Sequence, residues 1–271
     1  MNSEGRLCVD TEDKKKVWKD YMEKLLNEEN AWDGIIPDVI NDGEVGEITP
    51  EEVKVALKQM KSGKACGISG VSTEMLVHSG EVGIEVLTDI CNKILNGSRL
   101  PGDWTRSVLV PHYKGKGDPK ECGSYRGIKL LEHGMKVMER ILEKRLRDKI
   151  SIDEMQCGFM PGRGTVDAIF MVRQLQEKYL SRKKKLYYCF VDLEKAFDRV
   201  PRRVIEFALR KKGVEEKLVQ TVMRLYEGAK TSVRVESELS ESFDVKVGVH
   251  QGSVLSPFLF ITVMDVLSED V

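Results

Sequence analysis

The chain has 271 residues, a formal net charge of −1 and an apolar content of 41%, which is typical of a soluble globular protein with one or two domains. Six scattered cysteines form no Cys-x-x-Cys pair and have no histidine at zinc-ligand spacing, which argues against a structural zinc site and gives no support to a disulfide framework. The longest apolar run, residues 258–264, is too short to span a bilayer, and the charged first thirty residues predict no secretory signal, so we expect an intracellular protein, cytoplasmic or nuclear.

Charge is distributed unevenly along the chain. Residues 1–62 hold 15 acidic and 9 basic residues, whereas residues 63–271 hold 29 acidic and 34 basic ones. The second part is therefore mildly basic, which is weaker than the footprint of most nucleic-acid binders, although a groove can be locally positive. We predict a helical N-terminal extension with an acidic linker in residues 1–62 and a second domain in residues 63–271.

The N-terminal part is predicted to be helical. Residues 11–30 show the apolar periodicity of an amphipathic helix, and residues 31–47 are acidic and rich in turn formers, as in a linker. A capping box from Thr49 to Glu52, with proline in the first turn, predicts a helix that ends near Met60.

The remaining elements mix helices and strands without regular alternation, which predicts an α+β fold. Helices are predicted in residues 72–97, 132–150, 165–180 (capped at Thr165), 204–212 and 214–226, and after Pro257. Short strands are predicted near residues 109–111, 187–191, 231–236 and 243–247. The basic loop of residues 182–185 precedes the second of these strands, and phosphate contact there is an open alternative to a solvated loop.

One segment carries an acidic residue at a strand end. Residues 190–201 read Phe-Val-Asp-Leu-Glu-Lys-Ala-Phe-Asp-Arg-Val-Pro, with strand-like apolar residues before Asp192 and a helical pattern that begins at Ala196. A carboxylate at such a junction is either a helix cap or an oxygen ligand for a hard cation. Both interpretations remain open from this segment alone.

Three further motifs accompany this segment in a fixed order. Residues 124–131 read Ser-Tyr-Arg-Gly-Ile-Lys-Leu-Leu, residues 156–165 contain Gly-Phe-Met-Pro-Gly-Arg, and residues 248–260 contain Gln-Gly-Ser-Val-Leu-Ser-Pro. With residues 190–201 as motif A and residues 248–260 as motif B, the chain resembles the reverse transcriptases (RNA-directed DNA polymerases) of non-LTR retrotransposons over roughly residues 60–271. Group II intron maturases share parts of these motifs, but the motif A wording fits the retrotransposon branch better.

The chain also departs from the family pattern. Ile68 and Ser69 stand where the family's glycine-rich loop has Pro and Asp, and Ser124 stands where Asn is usual before Tyr-Arg. Together with the truncation described below, these departures suggest a decaying transposon copy or an incomplete gene model.

The resemblance implies a fold and a reaction. The fold would be the fingers and a partial palm of a right-hand polymerase, and the reaction would be two-metal nucleotidyl transfer with Mg²⁺. The implied partners are an RNA template, a DNA primer and deoxynucleoside triphosphates, with no membrane partner; the oligomeric state is not implied.

Site roles follow from the same motifs. Asp192 would be the catalytic carboxylate and a metal ligand, with the Leu193 carbonyl as a second ligand. Glu194 and Asp198 are not expected to be metal ligands. Asp198 would instead cap a helix or pair with a nearby arginine. Nucleic-acid contacts are implied for Gly158 and Arg163. Nucleotide binding is implied for Lys114, Arg126, Ala196, Phe197, Gln251 and Gly252.

Some of these roles have alternatives. Lys116 is an equal candidate to Lys114 for the triphosphate. Phe197 would exclude a 2′-hydroxyl by its bulk, or it is an ordinary core residue. His250, beside Gln251, is expected to be structural rather than an acid or base.

The family's second aspartate motif, Ala-Asp-Asp on a hairpin after motif B, does not occur in the 271 residues. We therefore expect a C-terminally truncated domain with an incomplete Mg²⁺ site, inactive alone, and a weakened palm in which the motif A strand exposes an edge. The alternatives are a non-catalytic RNA-binding or interaction protein derived from a transposon, or an unrelated α+β protein. Salt-dependent binding of a primer–template without nucleotide incorporation would favour the binding protein.

Overall fold

The computed structural model describes residues 8–29, 34 and 40–269, so part of the predicted linker lies outside the described residues. The helices are α1 (Thr11–Leu25), α2 (Pro50–Lys58), α3 (Thr73–His78), α4 (Gly80–Leu95), α5 (His133–Arg147), α6 (Thr165–Ser181), α7 (Ala196–Arg199), α8 (Arg202–Lys211), α9 (Glu216–Arg224) and α10 (Ser256–Ser268). The strands are β1 (Arg106–Tyr113), β2 (Tyr125–Leu130), β3 (Lys230–Val235), β4 (Glu238–Leu239) and β5 (Phe243–Asp244). A fold of mixed helix and strand is thereby confirmed.

Local sequence explains where several helices begin. Asp10 accepts a hydrogen bond from the Glu12 N–H at 3.0 Å and caps α1. The predicted capping box is present at α2, where Glu52 N–H donates to Thr49 Oγ1 at 3.2 Å and Thr49 N–H donates to Glu52 Oε2 at 2.9 Å. Arg145 then holds the same carboxylate with Nε at 2.7 Å from Glu52 Oε1, which joins α2 to α5.

A mixed sheet lies beside the helices. β1 pairs antiparallel with β2, with Val110 opposite Ile128, and parallel with β3, with Ser107 opposite Thr231. β3 also pairs antiparallel with β4 and β5. Parallel strands need a long crossover connection. The connection from β1 to β3 contains β2, helices α5 to α9 and three of the four motifs.

Two apolar clusters hold these layers. The larger cluster is built from α2, α4, α5, α8, α9 and α10 and includes Val53, Ile94, Leu142, Ile205, Val219 and Phe258. The smaller cluster packs α1 against the sheet through Met22, Leu25, Leu26, Leu109, Val233 and Phe243. None of the helices in the described part is long and apolar enough to cross a membrane.

The prediction of a motif A strand is wrong. Residues 184–193 have no regular secondary structure, and Tyr187, Phe190 and Val191 are 82%, 82% and 80% exposed. A strand needs a neighbour for its backbone N–H and C=O groups, and within the described ranges no strand pairs with this segment. Local apolar content was therefore insufficient to form the strand.

Helix α6 precedes this segment and buries none of its side chains. Its predicted cap at Thr165 is also wrong, because the helix begins after Gly164. The Gly164 N–H donates to Asp167 Oδ2 at 2.7 Å, so an acid in the first turn holds the chain that enters the helix.

Candidate nucleotide-binding site

A pocket of about 400 Å³ lies where α1, β2, α7 and the motif B turn meet. It gathers residues from motifs that are far apart in the sequence. All six residues with a predicted nucleotide-binding role line it, namely Lys114, Arg126, Ala196, Phe197, Gln251 and Gly252.

Two basic residues of the pocket lie on or next to the paired strands β1 and β2. Arg126 lies in β2 opposite His112 of β1, and Lys114 follows the end of β1. Lys114 Nζ donates to the Gly123 carbonyl oxygen at 3.1 Å, which holds its side chain along the loop. Lys114 lines this pocket and Lys116 does not, which separates two lysines that were equal candidates by sequence.

Phe197 is fixed between two other aromatic rings. It stacks on Phe260 of α10 with centroids 4.8 Å apart and an interplanar angle of 24°. Phe159 meets it edge-on with centroids 5.9 Å apart. The Phe197 ring is therefore a supported wall of the pocket, since aromatic contacts of this kind favour one arrangement.

Backbone hydrogen bonds attach the motif B turn to its neighbours. Lys129 N–H of β2 donates to the Gln251 carbonyl oxygen at 2.8 Å, and Val249 N–H donates to the Phe197 carbonyl oxygen at 2.8 Å. The turn is thus joined to β2 on one side and to motif A on the other.

Two glycines permit this close approach. Gly252 has φ +109°, and a Cβ there would lie 2.7 Å from the Lys129 carbonyl oxygen. Gly248 has φ +79°, and a Cβ there would lie 2.6 Å from the Asp198 carbonyl oxygen. Both positions therefore require glycine, for conformation and for space.

Asp198 contacts Gln251, a partner that the sequence did not suggest. Its Oδ2 accepts a hydrogen bond from Gln251 Nε2 at 2.7 Å, between motif A and motif B. Burial raises the pKa of Asp198, and the nearby Lys129 ammonium opposes that rise. Burial lowers the pKa of Lys129 to about 7, with Arg202 adding to the decrease.

Buried titratable groups lie in and against the motif B turn. His250 is 4% exposed, and its ring lies 4.8 Å from that of Tyr226. Burial holds the pKa of His250 well below its usual value, so it is neutral near pH 7. Burial raises the pKa of Glu139 in α5 to about 7, against the opposing effect of hydrogen bonds from Ser253 and Val254.

Asp192 and Leu193 lie outside the pocket. Both are exposed in the irregular segment before α7. Among the described residues, no group of three or more His, Cys, Asp or Glu side chains could hold a metal ion. Since Mg²⁺ takes six oxygen ligands in octahedral geometry, one exposed carboxylate and one carbonyl do not by themselves make a Mg²⁺ site.

Gly158 and Arg163 also lie away from the pocket, in exposed turns before α6. The Gly158 carbonyl oxygen accepts from Gln156 Nε2 at 3.0 Å. Their neighbour Phe159 does line the pocket and has φ +57°, an uncommon conformation for a residue with a side chain.

Sequence reasoning missed several pocket residues. Tyr125, Phe159, Lys195 and Asp198 stand inside the quoted motifs, so their motif membership was a usable signal. Nothing in the sequence indicated that α1 would contribute. The pocket residues that had no predicted nucleotide-binding role are Met22, Leu25, Tyr125, Gly127, Phe159, Lys195, Asp198 and Pro257.

Comparisons with known proteins point in one direction. The family model described as "Reverse transcriptase (RNA-dependent DNA polymerase)" matches residues 114–271. The chain is 31% identical, over 79% of its length, to the probable RNA-directed DNA polymerase from transposon BS of Drosophila melanogaster. It is 28% identical, over 79% of its length, to the RNA-directed DNA polymerase from mobile element jockey of Drosophila funebris.

A third relative is the retrovirus-related Pol polyprotein from type-1 retrotransposable element R2 of Nasonia vitripennis, with 28% identity over 67% of the chain. The chain spans only part of each relative: 24% of the transposon BS and jockey proteins and 18% of the R2 polyprotein.

Proposed function

This chain belongs to the reverse transcriptase family of non-LTR retrotransposons, and from that premise we propose that it forms the nucleotide-binding part of an RNA-directed DNA polymerase. The observation that carries the proposal is the convergence of all six predicted nucleotide-binding residues on one pocket. We also propose that residues 63–271 form the fingers and a partial palm, and that residues 1–62 form an N-terminal extension. An RNA template, a DNA primer and deoxynucleoside triphosphates are the proposed partners, and an intracellular location is proposed with them.

The basic residues of the pocket suit a triphosphate. Arg126 offers a planar fork of donors for phosphate oxygens, and Lys114 offers a point charge. Lys195 adds a third cation at the pocket wall. Together these three cations favour binding of the negatively charged phosphates.

The aromatic wall suits the sugar. Phe197 cannot move away easily, because Phe260 supports one face and Phe159 meets its edge. We propose that this bulk excludes a 2′-hydroxyl and so favours deoxynucleotides. Ala196, beside it, leaves room for its backbone N–H to approach the nucleotide.

Gln251 and Gly252 form the side of the pocket made by motif B. We propose that the Gln251 amide hydrogen-bonds the nucleotide or the template backbone. The missing side chain at Gly252 lets the turn lie against β2.

Divalent metal ions are general to this family, and we propose that Asp192 and the Leu193 carbonyl contribute two of the oxygen ligands of a Mg²⁺ ion without forming a complete site by themselves. We propose Gly158 and Arg163 for template contact, because Gly158 directly precedes Phe159 of the pocket and Arg163 adds an exposed cation to the same segment. The described residues place no cluster of acids that could hold a metal, so the proposal concerns binding of the nucleotide and not the transfer step.

Binding of a fluorescent deoxynucleoside triphosphate tests the proposal. We expect Arg126→Ala and Lys114→Ala each to weaken binding about tenfold or more, since each removes a charged contact. Lys116→Ala is the matched control, because it removes the same charge from the same loop outside the pocket. Equal binding by all three variants and the unaltered chain would refute the assignment.

Primer extension on an RNA template distinguishes the polymerase from the alternative. Incorporation that is lost in Asp192→Asn and retained in Glu194→Gln would support a catalytic role for Asp192. Salt-dependent primer–template binding with neither nucleotide binding nor incorporation would instead support a non-catalytic RNA-binding protein.

A further inference from the structure

We propose that Asp198 is a positioning residue for Gln251, and that its buried carboxylate holds the Gln251 amide in one orientation beside the nucleotide pocket. The inference deepens the proposed function, and its nucleotide-binding arm rests on that function. The contact itself stands on the geometry alone.

The contact joins two motifs across the pocket wall. Gln251 Nε2 lies 2.7 Å from Asp198 Oδ2, and both residues line the pocket. An ionised carboxylate only accepts hydrogen bonds, so the amide must turn its N–H₂ group toward Asp198. The carbonyl oxygen of the amide is then held in a defined direction, whereas without the carboxylate either end of the amide could take either position.

The backbone on both sides of this pair is already fixed. Asp198 N–H donates to the Lys195 carbonyl oxygen at 2.9 Å, and the Gln251 carbonyl oxygen accepts from Lys129 N–H at 2.8 Å. Gly248 lies directly against the Asp198 backbone, where a Cβ would come within 2.6 Å of its oxygen. Only the Gln251 side chain therefore remains free to rotate, and the hydrogen bond to Asp198 restricts its torsions.

A carboxylate in a pocket that binds an anion needs nearby positive charge to offset its repulsion of the anion. Asp198 is 9% exposed, so it is turned mostly away from solvent. Lys129 is buried close enough to stabilise its charge, and Lys195 and Lys114 act in the same direction. The negative charge can thus orient Gln251 while the pocket as a whole remains favourable to phosphate.

Nitrogen-15 NMR of the full chain reports the contact directly. The Gln251 side-chain amide pair is identified by its loss in Gln251→Met. We expect its resonances to move toward solvent-exposed values in Asp198→Ala and to change in Asp198→Asn, whose amide can pair with Gln251 in either orientation. Glu194→Gln, the same chemical change at an exposed position of motif A, should leave them in place.

Affinity for a fluorescent deoxynucleoside triphosphate tests the positioning role. We expect Asp198→Ala to weaken binding about tenfold and Asp198→Asn to weaken it less, because one acceptor remains. In a Gln251→Met background, Asp198→Ala should cost no further affinity, since its effect passes through Gln251.

Four outcomes would contradict part or all of these expectations. Unchanged Gln251 amide resonances in both Asp198 variants would overturn the proposal. Shifted resonances with unchanged affinity, or fully additive losses in the double variant, would reduce Asp198 to a structural contact and overturn its positioning role. No nucleotide binding by the unaltered chain would refute the proposed function, while the amide resonances would still decide whether Asp198 holds Gln251.

Discussion

Lys195 Nζ donates a hydrogen bond to Tyr21 Oη at 2.7 Å and lies 5.1 Å from the centre of the Tyr21 ring. This contact joins α1 to the start of α7, 174 residues apart in the chain. Met22, next to Tyr21, and Leu25, one turn further along α1, also line the pocket. Helix α1 is therefore part of the candidate site as well as of the smaller apolar cluster.

We expect Met22→Ala to lower the free energy of unfolding by about 2–5 kcal/mol, because it leaves a cavity between α1 and the sheet. Met22 is 2% exposed and also lines the pocket, so nucleotide affinity should fall with it. Denaturant unfolding and fluorescent-nucleotide binding measure the two effects. Val9→Ala is the control, because Val9 is 78% exposed and should change stability by less than about 0.5 kcal/mol. Equal stability of the two variants would show that α1 does not pack as described.

We expect Phe197→Val to raise the affinity for a ribonucleoside triphosphate relative to its deoxy counterpart by about tenfold or more, because the smaller side chain makes room for a 2′-hydroxyl. Competition between the two nucleotides measures the ratio. Phe170→Val is a suitable control, since Phe170 is 61% exposed on α6 and away from the pocket. A ratio that stays constant in Phe197→Val would leave that ring with a packing role alone.

We expect Gly252→Ala to lower the free energy of unfolding by about 1–3 kcal/mol, because its φ of +109° is unfavourable for a residue with a side chain. The added Cβ would also lie 2.7 Å from the Lys129 carbonyl oxygen, so the motif B turn must shift. Gly102→Ala is the matched control, since a Cβ there meets no atom within 4 Å. Denaturant unfolding should separate the two variants, and similar values would contradict the close approach of the turn to β2.

Glu139 should make stability depend on pH. Burial raises its folded-state pKa from 4.5 to about 7. The folded state therefore binds the proton more tightly, so this contribution is fully present below pH 4.5 and is lost as pH rises through 7. Its size is on the order of 3 kcal/mol, at about 1.4 kcal/mol for each pKa unit.

Glu139→Gln removes this titration and keeps a side chain of the same size. We expect the variant to gain stability relative to the unaltered chain as pH rises from 4.5 to 7, with no further gain above that range. Unfolding measured at several pH values tests this, with Glu227→Gln as the exposed control. Parallel stability profiles for Glu139→Gln and the unaltered chain would show that Glu139 does not ionise with the raised pKa.

Local sequence was sufficient for most helices. The capping box at Thr49 and the apolar periodicity of residues 132–150 each act within one or two turns, and α2 and α5 form where these signals predict. The sequence also identified the residues of the pocket that belong to recognisable motifs, such as Arg126 and Gln251.

The segment predicted as the motif A strand shows a structure that local sequence did not determine. A helix satisfies its own backbone hydrogen bonds, but a strand depends on a neighbour that the local sequence does not specify. Residues 187–191 have the composition of a strand and yet remain irregular and exposed, because no described strand lies beside them.

Side-chain partners depended on tertiary structure for a related reason. The sequence suggested an arginine partner for Asp198, since arginines are its neighbours along the chain. The fold brings Gln251 to it, because Gly248 lets the motif B turn lie against motif A. The sequence by itself determined the family, the helices and the identity of the chemical groups. Only the folded chain decided which of those groups are in contact, because contacts between distant segments depend on packing that no local pattern encodes.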